Sequence, residues 1–205
     1  MKGKFITFEG FEGSGKSTQI RLFAQYLKKQ RLPVLLLREP GSTGISERIR
    51  KILLDKKNKA LSQDAEMLLY LAARSQLVQE KIIPALKKGK VILCDRFHDA
   101  TVAYQGYGLG LDKKLINSIG NFVMAGIKPD LTILFDIDVE EGLKRAGRNK
   151  DRIEQRPLGY HRRVRQGYLG IAKKEPGRVK VIKVDADIET VQQRVRELAI
   201  CLFRK

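Results

Sequence analysis

Short apolar stretches alternate along the chain with longer stretches in which apolar residues recur every three or four positions. The short stretches are rich in β-branched residues and predict strands at residues 4–9, 33–38, 90–94, 131–136 and 178–184. The longer ones predict helices at residues 16–29, 65–87, 111–124, 139–145 and 187–203. Because strands and helices alternate, we expect an α/β fold in which helices flank a five-stranded parallel sheet on both faces.

The length of the chain favours a single domain. One hydrophobic core can serve up to roughly 250 residues, and the sequence has 205. No internal repeat and no linker rich in Pro, Gly or Ser divides it. The one interruption is the polar stretch 147–151 between two helical patterns. We therefore expect one domain over residues 1–205, with a short lid at about 147–154.

The chain carries a net charge of +18, which is compatible with nucleic acid, an anionic membrane surface or small polyanionic substrates. No apolar run is long enough to cross a bilayer and no cleavable signal is evident, so we expect a cytoplasmic protein. Cys94 and Cys201 lack metal-ligand spacing and are expected to be reduced and structural. His98 and His161 likewise show no catalytic or metal-binding pattern.

A glycine-rich loop follows the first predicted strand and precedes the first predicted helix. It satisfies the pattern G-x-x-x-x-G-K-[ST] with Gly10, Phe11, Glu12, Gly13, Ser14, Gly15, Lys16, Ser17 and Thr18. Backbone N–H groups of such a loop surround phosphates, Lys16 supplies a cation and the Ser17 hydroxyl suits Mg²⁺. The loop therefore predicts binding of ATP with Mg²⁺; a glycine-rich turn without a ligand is the alternative.

A carboxylate and a guanidinium, Asp95 and Arg96, follow the third predicted strand. Ligands of open α/β sheets bind at the carboxyl ends of strands, so this pair is expected beside the glycine-rich loop. Asp95 could hold Mg²⁺ or orient an acceptor, and Arg96 could grip a phosphate with its planar fork. A surface ion pair is the alternative interpretation.

Taken together, six motifs make the chain resemble bacterial thymidylate kinases. They are residues 8–19, Arg38-Glu39-Pro40-Gly41, Ala72-Ala73-Arg74, Asp95-Arg96-Phe97, Ala103-Tyr104-Gln105-Gly106 and Asp151-Arg152-Ile153-Glu154. The resemblance covers most of the chain. It implies the fold of P-loop nucleoside monophosphate kinases, a homodimer, and ATP-dependent phosphorylation of dTMP to dTDP for dTTP synthesis.

The same resemblance implies an acceptor pocket. Tyr70 and Arg74 are four residues apart and share a helix face, where Tyr70 would stack on thymine and Arg74 would donate to a carbonyl. Gln105 would bind the edge of the base. Without the other motifs, Tyr70 would be interpreted as core and Arg74 as a solvated charge.

Further acceptor contacts are implied around the sugar and the phosphate. Thr101 and Tyr104 would lie near the deoxyribose, where the ring would disfavour a 2′-hydroxyl, and Glu12 would approach the 3′-hydroxyl. Arg50 is a second candidate for the acceptor phosphate beside Arg96. Glu39 begins the loop after the second strand and is included in the expected substrate site.

The lid is expected to deliver arginines to the phosphates. One branch of the resembling family has arginine inside the phosphate loop and the other has glycine there with basic residues in the lid. Gly13 places this chain with the second pattern, so Arg152 and Arg148 would take over the missing charge. A solvated loop is the alternative. The chain departs from the family pattern at Ser42 and Leu109.

Two rival functions stay open at this point. A kinase of the same architecture could act on another nucleoside or nucleotide, and the net charge leaves a P-loop ATPase that binds nucleic acid. The basic residues form no stripe interleaved with aromatic residues, and no nucleic-acid-binding motif is present. Nucleic acid and membranes are therefore not expected as partners.

Overall fold

The computed structural model describes residues 3–147 and 151–203. Its strands are β1 (Lys4–Gly10), β2 (Val34–Arg38), β3 (Val91–Asp95), β4 (Leu131–Asp136) and β5 (Val179–Lys183). They form a parallel sheet in the order β2-β3-β1-β4-β5. The predicted five-stranded parallel sheet is confirmed, with each strand end within one residue of its expected position.

The register of the sheet brings the carboxyl ends of its central strands together. Phe8 of β1 pairs with Asp95 of β3, and Gly10 of β1 pairs with Phe135 of β4. The central strands are buried almost throughout, as expected when both faces of a parallel sheet are covered. The glycine-rich loop and Asp95 consequently leave the same edge of the sheet side by side.

Side chains alternate between the two faces along β1 because successive residues of a strand point in opposite directions. Ile6 and Phe8 pack in one core with Phe23 of the first helix and Val195 of the last one. Phe5 packs in a second core on the opposite face. The strand therefore supplies apolar groups to both layers of helices.

Nine α-helical segments are described. They are α1 (Lys16–Lys29), α2 (Gly44–Leu54), α3 (Gln63–Leu77), α4 (Ile83–Lys87), α5 (His98–Thr101), α6 (Lys113–Met124), α7 (Val139–Ala146), α8 (Leu158–Lys174) and α9 (Ile188–Ile200). The predicted helix 65–87 is divided by a π-helical turn, Val78–Ile82, into α3 and α4. None of the described helices has the length and apolarity that a membrane span needs.

A second π-helical segment, Val102–Gly108, continues α5 and was not predicted. Most of its residues are buried, so it has no polar face from which a helical period could be recognised. π-Helical turns are frequent at functional sites. This one holds Tyr104 and Gln105, two residues expected in the acceptor pocket.

Candidate active site

The glycine-rich loop between β1 and α1 adopts a backbone that only glycine accommodates easily. Gly10, Gly13 and Gly15 have φ values of 136°, 70° and 79°. Gly15 caps α1 without a side-chain hydrogen bond, whereas α2, α3, α6, α7 and α9 each have a capping side chain. The first N–H groups of α1, together with its dipole, thus suit an anion such as a phosphate.

Lys16 points back into this loop. Its Nζ donates to the carbonyl of Phe11 at 2.8 Å and lies 3.4 Å from Ser14 Oγ. Burial and then the positive charge of Arg96 lower the pKa of Lys16 to about 8. A polyphosphate in the loop would favour the charged form of Lys16.

Two oxygen-bearing side chains meet beside the loop. Ser17 Oγ donates to Asp95 Oδ2 at 3.1 Å. Hydroxyl and carboxylate oxygens are the ligands that Mg²⁺ prefers, and this ion usually keeps waters and substrate phosphates in its remaining positions. The donor set of Ser17 and Asp95 fits such an ion.

Arg96 is the centre of a network that crosses the strand ends. It donates to Gly10 O and Tyr168 Oη, both at 3.1 Å, and to Glu12 Oε1 at 2.7 Å. The guanidinium also lies 4.9 Å from the centre of the Tyr104 ring. Its φ of 71° is unusual for a residue with a side chain, and such backbone strain tends to occur at functional sites.

Glu12 completes this network from the glycine-rich loop. Tyr104 Oη lies 2.7 and 2.8 Å from its two carboxylate oxygens. Burial alone would raise the pKa of Glu12, but the charges of Arg96 and Lys16 hold the pKa below its usual value. Glu12 is therefore an ionised carboxylate at the mouth of the loop.

A cavity of about 340 Å³, here called the strand-end cavity, opens at this edge of the sheet. All nine predicted substrate residues line it. They are Glu12, Glu39, Arg50, Tyr70, Arg74, Arg96, Thr101, Tyr104 and Gln105. Lys16, Ser17 and Asp95 line the same cavity. The structure thus brings together residues that are up to about 90 positions apart in the sequence.

Arg74 is almost fully buried in the wall of this cavity, so a solvated charge is excluded. It forms a 2.6 Å ion pair with Glu39 and donates to Phe97 O at 3.0 Å and Thr101 Oγ1 at 2.8 Å. A further contact of 3.1 Å joins its NH1 to His98 Nδ1. Arg50 donates a hydrogen bond from its NH1 to Pro40 O at 2.9 Å.

Arg152 does not line the strand-end cavity, although its neighbours Asp151 and Ile153 do. Its NH2 donates to Glu66 Oε2 at 2.7 Å and its Nε donates to Leu53 O at 2.8 Å. The structure therefore places the guanidinium on a buried carboxylate. Arg148, the other predicted lid arginine, lies outside the described residues.

Glu66, which the sequence analysis missed, connects the predicted lid to the lining of the strand-end cavity. It is fully buried and accepts from Arg152, from Arg156 at 2.6 Å, and from Gln105 at 2.9 Å. Glu66 precedes Tyr70 by four residues, the same spacing that separates Tyr70 from Arg74. A charged residue on that helix face was the signal that could have identified it.

Glu9 and Tyr168 were also missed, since Glu9 lies within the motif at residues 8–19 but was given no role, and Tyr168 belongs to none of the six motifs. Phe97 N–H donates to Glu9 Oε1 at 2.6 Å, and Tyr168 Oη donates to Glu9 Oε2 at 2.8 Å. Burial, and then the negative charge of Asp99, raises the pKa of Glu9 to about 8. Tyr168 thereby links this buried carboxyl group to Arg96.

The pKa of Glu9 predicts a pH-dependent loss of stability. Between about pH 5 and pH 8 the folded protein keeps the proton of Glu9 while the unfolded chain has released it. The unfolded state then binds fewer protons, so the free energy of unfolding falls as pH rises, by up to about 1.4 kcal/mol per pH unit. Glu9→Gln should remove this slope in urea unfolding measured at several pH values.

The matched control is Glu197→Gln, which changes an exposed glutamate of α9. It should keep the slope of the unchanged protein. Equal slopes for the unchanged protein and Glu9→Gln would contradict the assignment of a protonated carboxyl group to Glu9.

Gly13 follows one branch of the family pattern, whereas Ser42 departs from that pattern. A Cβ on Gly13 would approach the backbone carbonyl of Gly142 in α7, with the carbonyl carbon at 2.9 Å. Glycine here therefore lets α7 pack against the loop. Ser42 has a φ of 68°, and its hydroxyl bonds to the N–H and the C=O of Arg38, which helps a serine occupy a conformation that favours glycine.

Comparison with known proteins matches this chain to one family over nearly its whole length. The family model described as thymidylate kinase matches residues 8–195. The thymidylate kinase of Kosmotoga olearia is 46% identical over 201 residues, covering 97% of this chain and 96% of that protein. That of Pelotomaculum thermopropionicum is 50% identical over 185 residues, covering 89% and 86%.

A solved structure has the same fold. The crystal structure of thymidylate kinase from Ehrlichia chaffeensis superposes with a TM-score of 0.80 at 37% identity, and the match covers 98% of this chain and 99% of that one. With a family match over most of the chain and relatives of this similarity, the chain belongs to the thymidylate kinase family.

Proposed function

We propose that this protein transfers the γ-phosphoryl group of ATP to dTMP and forms dTDP. The observation that carries the proposal is that the phosphate loop, Arg96 and an aromatic-lined wall meet in one cavity. This wall, here called the acceptor wall, is formed by Tyr70, Arg74, Thr101, Tyr104 and Gln105. The loop binds the donor and the wall binds the acceptor. Family membership supports the same reaction.

Phosphoryl transfer requires two oxygens in line and neutralisation of charge on the transferred group. The loop N–H groups and Lys16 bind the donor phosphates, and Arg96 positions the acceptor phosphate. Mg²⁺, held by Ser17 and Asp95, would neutralise charge on the phosphates. These groups act by positioning and by electrostatic stabilisation, so the protein needs no covalent intermediate.

The acceptor wall supports thymine and deoxyribose as the recognised groups. Tyr70 supplies an aromatic face, and Arg74 and Gln105 supply donors within the same cavity. The Glu12 carboxylate, with Tyr104 held against it, lies where a sugar hydroxyl can be bound. Tyr104 would disfavour an acceptor that carries a 2′-hydroxyl.

A coupled assay with ATP, Mg²⁺ and a panel of acceptors tests this function. The panel contains dTMP, dUMP, CMP, AMP and thymidine, and we expect the highest kcat/KM with dTMP. Preference for another monophosphate would reassign the acceptor. Turnover only in the presence of DNA, with no dTMP phosphorylation, would replace the proposal by a nucleic-acid-dependent ATPase.

Arg152 is proposed to supply positive charge to the phosphates when the lid closes. To do so its guanidinium must leave Glu66, which would keep Arg156 as a partner at 2.6 Å. The exchange therefore need not leave a buried carboxylate unpaired. Arg148 belongs to the same proposal.

Arg152→Ala is expected to lower kcat about 10²-fold while KM for ATP changes much less, because the lost charge acts mainly in the transition state. Steady-state kinetics measures both constants. Arg162→Ala removes an exposed arginine paired with Glu140 and should leave both constants unchanged. Unchanged kcat in Arg152→Ala would remove Arg152 from the mechanism.

We further propose that the protein assembles as a homodimer. Apolar side chains on α3 and α6 are exposed, with Leu68 and Leu115 at 50% and Phe122 at 84%. The two helices contact each other, so these residues belong to neighbouring surfaces. Apolar surface of this kind favours a subunit contact.

A further inference from the structure

A second cavity, here called the α6–α8 cavity, adjoins the strand-end cavity at Phe97. Its volume of about 550 Å³ exceeds that of the strand-end cavity, and Phe97 lines both. It is bounded by the start of α5, the π-helical segment, α6 and the end of α8. None of the other residues that line the α6–α8 cavity has a role in the proposed phosphoryl transfer.

Four lysines surround this cavity. Lys113, Lys114, Lys128 and Lys174 line it, and in the described part of the chain none of them forms an ion pair within 4 Å. The fifth basic residue, Arg178, already pairs with Asp99 at 2.7 Å and with Glu175 at 2.9 Å. Arg178 therefore offsets one of the two carboxylates, and with the four lysines the lining of the cavity keeps a net positive charge.

Part of the wall of the cavity is apolar. Val102, Met124 and Ile171 line it together with Phe97, and all four are buried residues of the cores. Tyr107 adds a ring that Lys113 Nζ approaches at 4.8 Å from its centre. An apolar surface beneath a set of cations suits a molecule that combines an aromatic ring with several phosphates.

A hydrogen-bonded chain connects the two cavities through His98. Arg74 can only donate, so His98 Nδ1 must accept at 3.1 Å, and the ring proton then lies on Nε2 and points to Asn117 Oδ1 at 3.0 Å. Burial, and then the charge of Arg74, lower the pKa of His98 to about 4, so the ring stays neutral. Arg74 lines the strand-end cavity and Asn117 lines the α6–α8 cavity.

We propose that the α6–α8 cavity is a second binding site, for a nucleoside triphosphate, and that its occupant changes the affinity for the acceptor through Asn117, His98 and Arg74. The phosphates contact the lysines and the base covers the apolar part of the wall. A ligand that moves Asn117 alters the hydrogen bond that holds His98, and with it one of the contacts that orient Arg74. The effect on dTMP rests on the proposed function, whereas the binding site does not.

Calorimetry can separate the two sites. The protein is first saturated with a bisubstrate analogue that joins adenosine and thymidine through five phosphates, and is then titrated with dTTP. We expect one further binding event per chain. In Lys114→Glu/Lys128→Glu/Lys174→Glu this event should be about 100-fold weaker, because attraction to the phosphates is replaced by repulsion.

The matched control changes three exposed lysines that do not line this cavity, Lys28→Glu/Lys29→Glu/Lys87→Glu, with the same change in net charge. It should bind dTTP as the unchanged protein does. Failure of the bisubstrate analogue to bind would count against the proposed function alone. Absence of the further event, or equal weakening in both triple variants, would overturn the second site.

Two further measurements test the ligand class and the coupling. Inorganic tripolyphosphate should bind more weakly than dTTP, and equal affinity would overturn the role of the apolar part of the wall. Saturating this site is expected to change KM for dTMP about fivefold, and the change should disappear in the triple variant of the cavity. An unchanged KM with the site occupied would overturn the coupling through His98.

Discussion

Changing Arg96 to lysine is expected to lower kcat/KM for dTMP by about 10²–10³-fold, the range found when a preorganised donor to a reacting group is removed. The guanidinium uses NH1 for Gly10 O and Tyr168 and NH2 for Glu12. A lysine keeps the charge, but its single nitrogen cannot span these partners or present a planar fork to a phosphate. Steady-state kinetics with dTMP as the variable substrate measures the loss.

The proper comparison for this variant is Arg162→Lys, in which an exposed arginine of α8 loses the same fork. Its kcat/KM should equal that of the unchanged protein. Urea unfolding of Arg96→Lys shows whether the fold persists at the temperature of the assay. A folded Arg96→Lys protein with kcat/KM within about threefold of the original would exclude Arg96 as the phosphate-binding group.

Changing Glu66 to glutamine is expected to lower the free energy of unfolding by about 3–5 kcal/mol, the usual cost of removing one partner from a buried ion pair. Glu66 Oε2 is shared by Arg152 and Arg156, which are themselves largely buried. A neutral amide leaves both guanidinium groups in a poorly solvated place without a counter-charge. Urea unfolding followed by circular dichroism measures the change.

Glu80→Gln provides the control for Glu66→Gln, since Glu80 forms an exposed pair with Lys81 at 3.5 Å. The exposed pair should contribute at most about 1 kcal/mol. If Glu66→Gln also cost less than about 1 kcal/mol, Arg152 and Arg156 would not depend on this carboxylate.

The central sheet and the phosphate loop were predictable because both are determined by local patterns. Buried parallel strands are continuous apolar runs, and a loop that surrounds phosphates requires glycines at fixed spacings. The unpredicted π-helical segment with Tyr104 and Gln105 lacks such a pattern, because it is buried on nearly all sides. The division of the helix at Val78–Ile82 comes just before Pro84, which cannot donate a backbone hydrogen bond, so it had a local signal that the periodicity did not show.

Arg152 shows where an interpretation from motifs is insufficient. Its place in the sequence predicts a lid arginine at the phosphates, but its partner in this structure is Glu66, 86 residues earlier in the chain. Nothing local marks that pairing. The two partners are brought together by the fold, so only the folded chain determines the pairing.

The sequence by itself determined the fold class and the phosphate loop, because each depends on residue types at short, fixed spacings, whereas the expected acceptor residues were implied by the family resemblance. The tertiary structure alone decided the electrostatic environment of those residues. The proton on Glu9, the shared carboxylate of Glu66 and the connection of Arg74 through His98 to the α6–α8 cavity all depend on burial and on partners distant in sequence. Desolvation and charge pairing act through space, so they become definite only when the chain is folded.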